Sequence, residues 1–177
     1  GGYVSLSEQY IKKYFKTFEC LKYSSQGLSF LPDDYINSKI RSVLLENNFI
    51  TSTNNLRLPR DVVILSLDGN PLHNNVFLDK YHELKLLSLK NCSITSLNCN
   101  YLSSSITELD LSDNIMLAEL KNINKLTSLN HLIIKNTKIN SLDCSNFRRI
   151  RNNKLIIYCD KKLTLLNNQD WIFLKTK

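Results

Sequence analysis

Apolar residues return along the middle of the chain at a fixed distance. Written from the first apolar position, five units read IRSVLLENNFI (40–50), VVILSLDGNPL (62–72), LKLLSLKNCSI (84–94), ITELDLSDNIM (106–116) and LNHLIIKNTKI (129–139). Their starts, Ile40, Val62, Leu84, Ile106 and Leu129, are separated by steps of 22, 22, 22 and 23 residues. A constant period of this size predicts a solenoid, in which each coil stacks on the next. Slots four and six are apolar in every unit while their neighbours vary, which is the alternation of a short strand with one buried face. Such strands, stacked in parallel, bury a continuous core that no single unit could bury alone.

The ninth slot holds Asn48, Asn70, Cys92, Asn114 and Thr137. A chain that turns sharply after the strand strands backbone N–H and C=O groups away from water. An Asn side chain offers both donor and acceptor, so it can satisfy them and tie one coil to another. Between the units, ITSLNCNYL and INSLDCSNF share the pattern I-x-S-L-x-C, placing Leu97 and Leu142 inward on the return side. Leu117 and Leu120 make the same pair one residue late, and the step of 23 places the extra residue there.

These slots match L-x-x-L-x-L-x-x-N/C-x-L, and the chain resembles the leucine-rich-repeat family, short 22–23-residue class, over about residues 40 to 160. The resemblance implies an α/β solenoid, a right-handed superhelix with a parallel concave β-sheet and a 3₁₀ or irregular convex side. It also implies a rigid concave surface for a protein partner. A degenerate sixth unit is expected with Leu155 and Ile157 in slots four and six, Asn152 in the first slot and Asp160 in the ninth.

An open stack exposes its core at both ends and needs caps. Residues 5–23 predict a helical one: Ser5 and Glu8 have capping-box spacing, and Tyr10, Ile11, Tyr14, Phe15, Phe18 and Leu21 share one helical stripe. Trp171, Ile172, Phe173 and Leu174 form the expected closing lid. The whole chain then reads as one domain: a helical N-terminal cap over 3–39, repeats over 40–160 and a C-terminal cap over 161–177.

Composition changes this picture little. The chain of 177 residues has one Ala, four Gly and 22 Asn, a balance that fits an AT-rich genome such as that of a pathogen. No apolar run approaches the ~18 residues of a membrane span. Five cysteines with no C-x-x-C spacing favour a reducing, intracellular compartment over a disulfide framework. The net charge of +7 comes from lysines near both ends and from Arg148, Arg149 and Arg151. With Lys154, Lys161 and Lys162 they make a second function class, nucleic-acid binding through a basic C-terminal patch, conceivable. No aromatic ladder is interleaved with them for base stacking.

A search for chemistry returns little. His73, His82 and His131 lack zinc-ligand spacing with any cysteine, and no phosphate-cradling or nucleophile-elbow glycine motif occurs. Cys159 with His131 is one pair that neighbouring coils could bring together. Neither a catalytic residue, a cofactor nor a metal is expected, and the chain reads as a monomeric, non-enzymatic adaptor or regulator. Its expected contact residues stand in three outward columns. Slot three reads Ser42, Ile64, Leu86, Glu108, His131; slot five, Leu44, Ser66, Ser88, Asp110, Ile133; slot seven, Glu46, Asp68, Lys90, Ser112, Lys135. From these, Leu44, Ile64, Leu86 and Ile133 make an apolar set, with Glu46, Asp68, Lys90, Glu108, Asp110, His131 and Lys135 charged or titratable around it. An apolar centre rimmed by charge is the usual form of a protein-binding footprint. Asp113, the third carboxylate of ITELDLSDN, is expected in the turn.

Overall fold

A computed structural model describes residues 19–148 and 154–176. It is a parallel-strand β-solenoid with little helix. Among the described residues twelve strands occur in chain order: β1 (Glu19–Lys22), β2 (Ile40–Leu44), β3 (Ile64–Ser66), β4 (Leu86–Ser88), β5 (Ser96–Asn98), β6 (Glu108–Asp110), β7 (Glu119–Lys121), β8 (His131–Ile133), β9 (Ser141–Asp143), β10 (Leu155–Tyr158), β11 (Thr164–Leu166) and β12 (Ile172–Lys175). Eight of them build one parallel sheet in the order β1-β2-β3-β4-β6-β8-β10-β12. On the return side β5 pairs with β7 and β9 with β11, as two separate ribbons. The described residues contain no α-helix, only 3₁₀ turns such as Thr53–Asn55 and Cys99–Tyr101.

The register follows the repeat. Val43, Leu65, Leu87, Leu109 and Leu132 are Cα partners across β2, β3, β4, β6 and β8, and all are fully buried. Leu45, Leu67, Leu89 and Leu111 form a second buried column beside them. Each such side chain contributes about 1.5–3 kcal/mol by leaving water. Leu97 and Leu142 close the core from the return side, as expected. Unit four places its extra residue ahead of Leu117, so Met116, at slot eleven, is exposed and Leu117 is buried instead.

Both ends differ from expectation. Residues 5–18 of the expected capping helix lie outside the described residues, but its last part is a strand. Leu21 of β1 is the Cα partner of Val43, 22 positions on, so a further coil precedes Ile40. At the other end Ile157, not Leu155, is the partner of Leu132, a step of 25. The sixth unit is therefore displaced by two residues: Ile157 takes slot four, Cys159 slot six, and Asp160 slot seven in place of nine. Leu155 and Ile157 still point inward because the displacement is even. Trp171 packs edge-on to Phe147 at 6.2 Å and Ile172 is buried, yet Phe173 and Leu174 of the last strand are exposed.

Turn chemistry explains the uniform coils. Slot eight is Ser25, Asn47, Gly69, Asn91, Asp113 and Asn136, and every one has positive φ, between 51° and 74°. Only Gly adopts this conformation without penalty, and Asn and Asp tolerate it best among the rest. Asp113 is thus a turn residue, as its position in the unit indicates. From this turn the N–H groups of Asn47, Gly69, Asn91 and Asp113 donate to the carbonyls of Asp68, Lys90, Ser112 and Lys135 in the next coil.

Candidate functional site

The three outward columns align as expected. Ser42, Ile64, Leu86, Glu108 and His131 are successive Cα partners, and so are Leu44, Ser66, Ser88, Asp110 and Ile133. All eleven candidate residues fall on this single face, or on the coil edge just after it. Their exposure is the surprise: the slot-three and slot-five positions expected to face solvent are mostly closed to it. Leu44, Ile64, Leu86 and Ile133 form a second hydrophobic cluster, separate from the core, at 4%, 1%, 0% and 0% exposure. Ser66, Ser88 and Asp110 beside them are also at 0%. Glu46, Asp68, Lys90, Glu108, His131 and Lys135 are half-buried around this centre.

The carboxylates do different work. Asp68 Oδ1 accepts from Ser88 Oγ at 2.6 Å and from the Lys90 N–H at 2.9 Å, joining its coil to the next. Burial nevertheless pushes its carboxyl up to about 6, against these two bonds, with the charges of Asp110 and Glu46 adding to the rise. Asp110 Oδ1 accepts from the Ser112 N–H and Oγ of its own coil. Burial raises this carboxyl too, opposed by the Ser112 bonds and by the Lys90 charge. Glu46 Oε2 accepts from Ser24 Oγ at 2.6 Å. Glu108 Oε1 stands 3.4 Å from His131 Nδ1, and the His131 ring packs edge-on to Tyr158 at 5.8 Å.

Several polar atoms on this face are buried without a hydrogen-bond partner: Ser42 Oγ, Ser66 Oγ and Asp110 Oδ2, with His131 Nδ1 at its margin. Buried polar atoms are normally satisfied, and each orphan costs about 1–3 kcal/mol. They lie on one face beside the apolar cluster, where buried hydrocarbon and unpaired hydrogen-bonding groups stand together. Periodicity located these columns but could not show their burial, because alternation reveals which residues share a face and not what lies over it.

Other sequence-level candidates separate. His131 projects from the outward face while Cys159 lies in the core, so the two do not form a pair. All five cysteines are free. Burial pushes the Cys92 and Cys99 thiols up to about 12, far from nucleophilic thiolates. Among the described residues no group of three His, Cys, Asp or Glu side chains is placed to hold a metal ion, and no helix is long and apolar enough to cross a membrane. In the basic C-terminal patch Arg148, Lys154, Lys161 and Lys162 are exposed, with Lys154 Nζ 5.6 Å from the Phe173 ring centre. Arg149 and Arg151 lie outside the described residues. Compared with protein-family models and with curated proteins, the chain matches neither a family model nor a curated sequence.

Proposed function

We propose that this chain is a non-enzymatic interaction module of the leucine-rich-repeat type, a right-handed superhelix whose sheet face holds a polypeptide. The observation that carries the reading is the second apolar cluster, Leu44, Ile64, Leu86 and Ile133, on the side of the sheet away from the core. These side chains lie outside the main core, which the inward columns build on the other side of the sheet. A polypeptide brings apolar side chains for the cluster and amides or ammonium groups for Ser42, Ser66 and Asp110. The acids around the cluster favour a ligand carrying basic residues and disfavour a phosphate backbone. Five free thiols suit a reducing compartment and an intracellular adaptor or regulator.

The test is selection of displayed peptides on the full chain, followed by binding measurements on charge variants. Asp68→Lys with Glu108→Lys is expected to weaken the selected peptides by about tenfold or more, as expected when charge complementarity is reversed. Lys121→Glu on the return side is expected to leave them unchanged. Peptides that bind the face variant as well as the parent would remove this face from the reading.

A further inference from the structure

Just ahead of the sheet strands, successive coils make the same turn: the N–H groups of Val62, Leu84 and Ile106 donate to the carbonyls of Pro59, Tyr81 and Ser103. The residues before these acceptors are Leu58, Lys80 and Leu102, and Ile36 stands 22 positions ahead of Leu58. Leu58 and Leu102 are buried, whereas Lys80 is exposed, with its Nζ 5.4 Å from the Tyr81 ring centre. An ammonium group in an apolar slot would lose its hydration, so this side chain turns out to water. A cavity of about 340 Å³ lies there, lined by Ile36, Leu58, Arg60, Lys80, Tyr81 and His82. In the next coil the counterparts of Lys80 and His82 are Leu102 and Ser104, so the basic lining is a local departure from the repeat.

The lining divides by chemistry. Ile36, Leu58 and Tyr81 supply hydrocarbon, while Arg60, Lys80 and His82 are exposed and supply N–H donors at the rim. Among the described residues no carboxylate lies within ion-pair distance of these three, although Arg41 pairs with Asp61 at 3.7 Å and Arg57 with Asp33 at 3.3 Å. Asp61 and Glu83, the chain neighbours of Arg60 and His82, line a different cleft with Arg41 and Val63. We propose that this pocket binds a small amphipathic anion, a carboxylate on a short hydrocarbon chain, with the chain on Ile36, Leu58 and Tyr81 and the carboxylate on Arg60 and Lys80. The volume falls in the range of small-molecule sites. The lining crosses three coils, two spacings of ~5 Å, which limits the hydrocarbon to a short chain. Charge sets the sign of the ligand: two cations without a carboxylate partner favour an anionic head and oppose an ammonium on the same chain. The pocket shares no residue with the sheet-face cluster, and it does not rest on the interaction-module reading.

The experiment follows the backbone amides of the full chain by NMR as octanoate, hexanoate or octylammonium is added. Octanoate is expected to shift the amides of Leu58, Arg60, Tyr81 and His82 saturably, with a Kd on the order of 1 mM. Hexanoate, two methylenes shorter, is expected to bind about tenfold more weakly. Octylammonium is expected to be weaker than octanoate by about tenfold, because both rim cations oppose it. Arg60→Glu/Lys80→Glu changes only exposed side chains and is expected to reverse that order, with octylammonium now the tighter ligand. If the double variant loses the amide pattern of the folded chain, Lys80→Glu alone decides, by a loss of octanoate affinity of about threefold or more. The absence of saturable shifts at these amides up to about 10 mM octanoate overturns the proposal. So does equal binding of octanoate and octylammonium, which marks a packing gap indifferent to charge, and so does an octanoate affinity unchanged by the charge reversal. Because no polypeptide ligand enters this assay, its outcome is independent of the peptide-binding result.

Discussion

Replacing Asn114 with Ala removes the most completely buried knot between coils. Its Nδ2 donates to the carbonyls of Leu89 and Leu111 at 2.9 and 2.8 Å, and its Oδ1 accepts from the amides of Cys92 and Ile94 at 2.9 and 3.1 Å. Asn114 is 1% exposed, and Leu89, Cys92, Ile94 and Leu111 are all at 0%. An orphaned buried group costs about 1–3 kcal/mol, so four set an upper range of about 4–12 kcal/mol. Local relaxation and an entering water reduce this to ~3–5 kcal/mol, the range of severe single substitutions. Asn48→Ala is the control. Asn48 makes the same kinds of bond, to Tyr23, Leu45, Gln26 and Leu28, but most of them are only partly buried and they lie at the N-terminal edge. Water can replace them, and the expected cost is about 1–2 kcal/mol. Urea unfolding followed by far-UV circular dichroism gives both values, with the slope checked for loss of all-or-none behaviour. An Asn114→Ala cost below about 1 kcal/mol, or equal to that of Asn48→Ala, would refute the claim that buried asparagines hold the coils together.

Stability should also depend on the Asp68 carboxyl. Its folded value of about 6 lies above that of a free Asp, so the folded state binds more protons between about pH 4 and 6 and gains stability as pH falls through that window. The urea midpoint of the parent, less that of Asp68→Asn, should therefore rise from pH 7 to pH 5; a flat difference contradicts the burial of this group. Gly69 has φ of +74°, and a Cβ there also meets the Asn47 side chain, so Gly69→Ala should cost about 1–2 kcal/mol in the same assay. Asn91→Gly, at the equivalent turn, should be far milder because Gly accepts positive φ freely. Titration of the native chain with a thiol reagent should modify Cys20 first, with Cys92, Cys99, Cys144 and Cys159 reacting only on unfolding; early modification of any of those four would show that the core is open.

Most of the coil geometry is written in short-range chemistry and was legible. Leucines at slots four and six fix which side of each strand faces in, and the asparagines at slot nine fix where the chain turns. Terminal coils are legible only in part. Tyr23 and Gln26 stand where Leu and Asn stand elsewhere, so the coil through Leu21 loses its marks, and its Leu21 also completes a helical stripe. Pairing with β2, a long-range interaction, settles Glu19–Lys22 as strand. Near the other end the two-residue displacement at Ile157 preserves inward and outward alternation, which is why periodicity alone chose the wrong register. For the candidate site, the columns through Ile64 and Asp110 follow directly from the repeat. Their burial depends on what lies across the sheet, and no local pattern within a unit contains that. The apolar set Leu44, Ile64, Leu86 and Ile133 was itself visible in these columns, and a scaffold with a fully solvated face has no reason to gather it.

The central claim is that the outward sheet face is the working surface, and photo-cross-linking tests it most directly. A benzophenone side chain would replace His131, half-buried at the margin of the face, or His73, exposed on the return side, in the full chain bound to a selected peptide. The account predicts a cross-link to the peptide from position 131 and none from position 73. A cross-link from position 73 with none from position 131 would contradict it.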